Sequence, residues 1–475
     1  MEKVQKKKID FTEGKIFFKI LRFILPIVAT NLLQTLYNAA DMMVVSLSSE
    51  ENAVGAIGTT GSLIHFIVNV FIGFSVGANV VVAREIGAKD KERAQNAVHT
   101  SLLMAVIFGV VGMLLGFFVS RPVLKLMGNT GSLLNLAARY TFFYFLGVPF
   151  LALTNYLIAI FRAKGDSKTP LVVLVITGLL NVGMNLFFVL VAGLSVEGVA
   201  IATSLANLAS FIVLLIKLRK DQDYTTFSFK KLKIERNAFR DIVVNGVPAG
   251  IQGALFSLSN MLIQSSIVTV NNNLVPPDVE YAPIVNGSAA SANIEGFVYT
   301  SMNAVYQGSI TVTSQNMGAK KPHRVKRVLY SCLLAVFAVS GFMAILTYLL
   351  RAPLLSLYGI KGGAEGSLEA LAMEAALTRM TMIVLPYFLC GFMDVCSGVL
   401  RGMGKAIVST VISLIGACLL RVVWLLTVFK AYPTLEIIFL SYPISWIATT
   451  ATSFILIQVL LRKILKAQEK TAESE

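Results

Sequence analysis

The chain has 475 residues, 56% of them hydrophobic and only 14% charged, with a mean hydropathy of +0.73. Soluble globular proteins carry about 25% charged residues, so a set of water-facing domains is excluded and a polytopic membrane protein is expected. The net charge of +15 sits in short clusters between long apolar runs, which excludes the basic face that nucleic-acid binding requires.

The charged opening MEKVQKKKIDFTEGK leads directly into an apolar run. It lacks the short core and small-residue cleavage site of a removable signal peptide, and none is expected. Twelve runs of membrane-crossing length follow, at about 20 residues each. They occupy 19–47, 53–82, 94–119, 133–160, 171–192, 197–218, 242–270, 287–315, 328–350, 379–400, 407–429 and 436–461. Pro26, Pro149, Pro248, Pro386 and Pro443 lie within runs, where they free backbone carbonyls and predict kinks. The four cysteines also lie in apolar runs, without metal-ligand spacing, and read as small buried hydrophobes.

Orientation follows from the basic residues. With the N-terminus in the cytoplasm, 33 of the 41 Lys and Arg fall in inner segments and 7 in outer ones, leaving Arg421 within a span. Both termini are therefore expected in the cytoplasm of a cell-membrane protein. The longest inner segment follows the sixth span. It divides the chain into a cytoplasmic segment 1–18, an N-lobe 19–218, a linker 219–241, a C-lobe 242–461 and a cytoplasmic tail 462–475.

The two halves repeat one another. Gly-Ala-Lys at 87–89 recurs at 318–320, and Pro122 has its counterpart in Pro353, both at an offset of 231 residues. FRAKG at 161–165 recurs as LRGMG at 400–404. Six spans per half make the repeat parallel, as in many secondary transporters. The expected fold is all-α, with twelve transmembrane helices in two pseudo-symmetric six-helix lobes.

Ionisable residues inside a span are costly and point to function. Asp41, Glu295, Asp394 and Arg421 are such residues. Asn31, Gln34, Asn38 and Asp41 recur every three or four residues and form one polar helical stripe. Asn181 with Asn185, and Thr203 with Asn207, repeat at i,i+4 in spans five and six. A carboxylate with amide and hydroxyl oxygens suits Na⁺ or a bound proton, while amides at this spacing also serve helix packing. In the C-lobe, Asn260 and Gln264 mark span seven and Asn293 marks span eight. Arg421 is expected to pair with Asp394 or Glu295. GFSVG at 73–77 fits a nucleophile motif but lies in an apolar helix, where Gly73 and Gly77 read as close-packing residues. No catalytic or phosphate-binding constellation stands out, so an enzyme is not expected.

Residues 12–45, GFSVGANVVVAREIGAKD (73–90), FRAKGDSKTP (161–170), LLNVGMNLFF (179–188), SLSNMLIQ (257–264), ANIEGF (292–297) and FLCGFMDVCSGVLRGMG (388–404) stand in order along nearly the whole chain. Together they resemble the bacterial MATE family, the multidrug and toxic-compound extrusion transporters. The resemblance implies a two-lobed transporter that exports amphiphilic organic compounds, cations prominent among them, in antiport with H⁺ or Na⁺. It places the coupling cation at Asp41, Asn181, Asn185 and Thr203, with Na⁺ a possible metal at Asp41. Asn260, Glu295, Asp394 and Arg421 become second-lobe candidates, and Gln34, Asn38 and Gln264 substrate-cleft candidates. Asn185 departs from the family pattern, which often has a second carboxylate there. A cofactor is not implied; the partners are a small-molecule substrate and the lipid bilayer, for a monomer. The alternative is a flippase or exporter of lipid-linked precursors or polysaccharide, which a cavity short of basic residues disfavours.

Overall fold

A computed structural model of the chain describes residues 9–48, 50, 53–221, 223–276, 279 and 281–474, with backbone alone at 62, 65, 66, 70–72 and 471–474. The first eight residues of the expected N-terminal segment and the last residue of the tail lie outside the described residues.

Twelve long helices form among the described residues, and no strands. They are α1 (Ile16–Val45), α2 (Ala53–Gly87), α3 (Lys91–Leu126), α4 (Gly131–Ala163), α5 (Lys168–Val191) and α6 (Val196–Lys220), then α7 (Arg236–Leu274), α8 (Pro283–Gly318), α9 (Pro322–Leu349), α10 (Leu368–Gly402), α11 (Ala406–Phe429) and α12 (Leu435–Ser474). Eleven are long and apolar enough to cross a bilayer. The other is α8, whose serines, threonines and amides lower its hydropathy. Its Ser288, Ser291, Ser301, Ser309, Thr313 and Asn316 are all buried, so protein rather than lipid surrounds them. The expected twelve-helix membrane fold is the one formed.

The kinks have identifiable causes. Pro26, Pro149, Pro248 and Pro443 sit inside α1, α4, α7 and α12. In α10, a π-helical turn at Met380–Val384 is followed by non-helical dihedrals at Pro386. Two further π turns interrupt α11 at Leu414–Leu419 and Leu425–Phe429. A π turn leaves carbonyls out of the regular ladder and is common where a helix carries function.

The chain forms two compact units. The first comprises Met1–Ala254 with Thr311–Lys321, and the second Leu255–Ile310 with Pro322–Glu475. Glycine packing explains why the first unit takes in the start of α7 and the end of α8. A Cβ on Gly73 would lie 2.3 Å from the Gly250 nitrogen, and one on Gly77 2.2 Å from the Ile242 oxygen. On α8, a Cβ on Gly318 would lie 1.9 Å from the Arg84 oxygen, and one on Gly87 2.0 Å from the Gln315 oxygen. Only glycine permits such approaches. Hydrogen bonds reinforce them: Thr311 donates to Asn79 (3.0 Å), which donates to the Ala159 carbonyl (3.0 Å), and Gln315 donates to the Ala163 carbonyl (2.7 Å).

Candidate functional site

In the first unit, α1, α5 and α6 meet around Asp41. Tyr37, one turn earlier on α1, fits against Gly178 of α5 and donates to the Val175 carbonyl at 3.3 Å. On the same level, Ser210 of α6 donates to Thr177 of α5 at 2.7 Å. This lower layer ties both α1 and α6 to α5. One to two turns further along the helices, Asp41, Asn181, Asn185 and Thr203 come together.

Asn185 donates its amide to Asp41 Oδ1 at 2.5 Å, and Thr203 Oγ1 donates to Oδ2 at 3.4 Å. The Asn181 amide meets the same carboxylate. With its nitrogen facing Asp41 it donates to Oδ1 at 3.0 Å, and its oxygen accepts from the Thr203 backbone N–H at 3.3 Å. The opposite orientation would set two oxygens against each other beside an ionised Asp41, so the donating one fits the anion. Asn181 and Asn185 are buried. Asn185 Oδ1 is buried without a hydrogen-bond partner, which is costly for an amide oxygen unless a donor or cation reaches it. Tyr140 and Tyr144 of α4 lie within electrostatic reach of Asp41. The set can ionise, take a proton, or offer oxygens to a monovalent cation. All four residues expected here are therefore brought together. The tyrosines were not anticipated, because they stand in an aromatic-rich run, YTFFYF (140–145), whose flanks read as ordinary core.

The second unit holds a different arrangement. Arg379 of α10 donates through Nε and Nη2 to Glu295 Oε2 at 3.1 and 2.9 Å, and through Nη1 to Ser288 at 3.2 Å. Tyr387 donates to the other oxygen, Glu295 Oε1, at 2.9 Å. The backbones of α8 and α10 touch just beyond: a Cβ on Gly287 would lie 1.9 Å from the Ala372 oxygen. That contact lets the two side chains meet, and the pair is buried.

The expected pairing of Arg421 with Asp394 or Glu295 does not occur. Arg421 of α11 faces α12, where Nε donates to Ser445 at 2.9 Å and the guanidinium lies 4.1 Å from the Tyr442 ring centre. Aromatic faces and a hydroxyl satisfy it in place of a carboxylate, and Arg379 already occupies Glu295. Asp394 stands elsewhere on α10, with Oδ2 buried and without a hydrogen bond. Arg401, two turns along the same helix, and Tyr299 and Tyr306 of α8 are within its electrostatic reach. Gln34, Asn38, Asn260, Asn293 and Gln264 are exposed on their helices and join neither cluster. Three ligand-type acidic, histidine or cysteine residues do not gather anywhere among the described residues.

Twelve long helices, eleven of them apolar enough to cross a bilayer, define a multi-pass membrane protein, and within its first unit a carboxylate meets amide and hydroxyl side chains from two other helices. The MatE family profile matches residues 26–187 and 284–427, most of the chain, and the chain belongs to that family, the MATE transporters. It is 28% identical over 403 residues to a probable multidrug resistance protein, YoeA, of Bacillus subtilis (strain 168), covering 82% of each. It is 21% identical over 343 residues to the multidrug export protein MepA of Staphylococcus aureus (strain N315), covering 70% of this chain and 74% of MepA. Among solved structures, an outward-facing multidrug resistance MATE transporter of the MOP superfamily matches with a TM-score of 0.86 at 20% identity, over 98% of this chain and 100% of that one. A MOP-superfamily transporter from Pyrococcus furiosus, described as having a binding pocket of reverse polarity, matches at 0.86 and 19%, over 97% and 99%.

Proposed function

We propose that this protein is a cell-membrane efflux antiporter with both termini in the cytoplasm. It exports amphiphilic organic compounds, cations among them, in exchange for H⁺ or Na⁺. The multidrug resistance and export proteins among its relatives support the substrate class. The observation that carries the coupling is the Asp41 cluster, where a single carboxylate is met by donors from two other helices.

A proton reaching Asp41 reverses one of these contacts. The ionised carboxylate accepts from Asn181, Asn185 and Thr203; the protonated one must donate. The Asn181 amide accommodates this by turning its oxygen inward, onto the position 3.0 Å from Asp41 Oδ1 that its nitrogen held. Sodium would instead draw on Asp41, the Thr203 hydroxyl and the unsatisfied Asn185 oxygen. With Asn185 where relatives of this type often carry an acid, the cluster has one charge, which one proton neutralises completely. Either cation changes how α1 is held against α5 and α6, and so biases the helix between two packings. Efflux of an organic cation from proteoliposomes under separate H⁺ and Na⁺ gradients tests this reading. It predicts stimulation by at least one gradient, and stimulation by neither contradicts antiport.

Export of lipid-linked precursors is the second reading, and one observation favours it. Arg379, Arg401 and Arg421 are all buried in the second unit, more basic groups than hydropathy alone suggests. Glu295 neutralises Arg379, which leaves this reading the weaker. Rescue of a flippase-depleted strain but not of a drug-sensitive one would favour it.

A further inference from the structure

We propose that Gly178 and Tyr37 are positioning residues for the cation cluster: the ring of Tyr37, seated in the notch left by the missing side chain of Gly178, sets the distance from α1 to α5 and hence the approach of Asp41 to Asn185. This rests on the reading of Asp41 as the coupling group, but concerns a layer that does not touch the cation.

A Cβ on Gly178 would lie 1.9 Å from Tyr37 Cε2, 2.0 Å from Cζ and 2.6 Å from the hydroxyl oxygen. Contacts that short do not exist between carbon atoms, so the ring occupies the volume of the absent methyl. Gly178 has no positive φ requirement; a helical glycine is less favourable than alanine, and here the space it leaves is filled. The ring is held in place by the Tyr37 hydroxyl bond to the Val175 carbonyl, one turn before the notch.

The spacing transmits this contact to the cluster. Asp41 is one turn beyond Tyr37 on α1, and Asn181 and Asn185 are one and two turns beyond Gly178 on α5, so the same helix faces meet in both layers. If α1 stands off by one ångström, the Asn185–Asp41 contact lengthens from 2.5 Å to the outer limit of a hydrogen bond and the 3.4 Å Thr203–Asp41 contact is broken. On the neighbouring face of α5, the Ser210–Thr177 hydrogen bond holds α6, with Thr203 two turns away on that helix. The cluster is therefore built on a supported layer rather than on its own hydrogen bonds.

Gly178→Ala forces either the ring or α1 to move, and two measurements distinguish these. The first is the rate at which a hydrophobic carbodiimide modifies Asp41 in purified protein without any gradient, located by peptide mass spectrometry. If α1 moves, the carboxyl loses its cover and modification is at least fivefold faster than in wild type. Gly178→Ala with Tyr37→Leu removes the collision and returns the rate to within twofold. The second measurement is drug efflux against concentration of the coupling cation. Gly178→Ala is expected to raise the half-saturating concentration about tenfold with the maximal rate retained, and the double variant to restore it. Wild-type labelling in Gly178→Ala, or a double variant no better than the single, overturns the inference. Shifted labelling with unchanged cation dependence keeps the notch as a positioning device and instead contradicts coupling through Asp41.

Discussion

Asp41 gains its character from three side chains that other helices supply. Asn185 is the informative one, because its nitrogen holds the carboxylate while its oxygen is buried and unsatisfied. Asn185→Asp would place a second carboxylate against the first. Two adjacent carboxylates cannot both ionise unless a cation lies between them, so the variant is expected to bind Na⁺ about tenfold more tightly. Its efflux should become Na⁺-stimulated, as measured in proteoliposomes with Na⁺ varied at fixed pH. Efflux with wild-type Na⁺ response would contradict the geometry. The cluster is legible from sequence because each residue is an oddity in an apolar run and the i,i+4 spacing fixes its face. The partners of Arg379 and Arg421 are less so. Counting charges matches acids to bases, whereas Arg421 is satisfied by aromatic faces and Ser445, which carry no charge to count.

Among the elements, α10 starts furthest ahead of its apolar run. The apolar run begins at 379, but the helix begins at Leu368, since its first turns carry Glu369 and Glu374 and lie below the hydropathy of a span. Arg379 therefore lies a full three turns inside a helix, buried against Glu295, rather than at the start of a span. Removing one member of a buried ion pair strands the other and costs about 3–5 kcal/mol, whereas replacing both with apolar residues is often neutral. Arg379→Met or Glu295→Gln alone should markedly lower the Tm of the solubilised protein. Arg379→Met with Glu295→Leu should recover most of the loss. A double variant as unstable as the singles would mean that the ionic network, and not the absence of stranded charge, holds α8 to α10. The glycine contacts of α2 make a parallel case. Gly87→Leu must displace the α8 backbone at Gln315, and overpacking of this kind costs about 1–3 kcal/mol or more. Its signature is a lowered Tm, and an unchanged Tm would show that the two helices separate freely.

For the molecule as a whole, the twelve-helix membrane fold is readable from composition and run length, since a bilayer admits few alternatives. The boundaries of the two compact units are not, because they pass through the middle of α7 and near the end of α8 rather than between helices. Nothing in the apolar pattern of either helix changes at Ala254 or Thr311; what changes is the partner, and the glycines that admit it face α2. Family membership supplies transport, and the Asp41 cluster supplies a group able to couple it to an ion. The most direct test is drug efflux by Asp41→Asn in proteoliposomes with imposed H⁺ and Na⁺ gradients. Asparagine keeps the shape of the side chain but can neither ionise nor carry a proton, so the gradient-driven component is predicted to disappear while the protein remains folded. Ion-driven efflux at the wild-type rate would contradict the account.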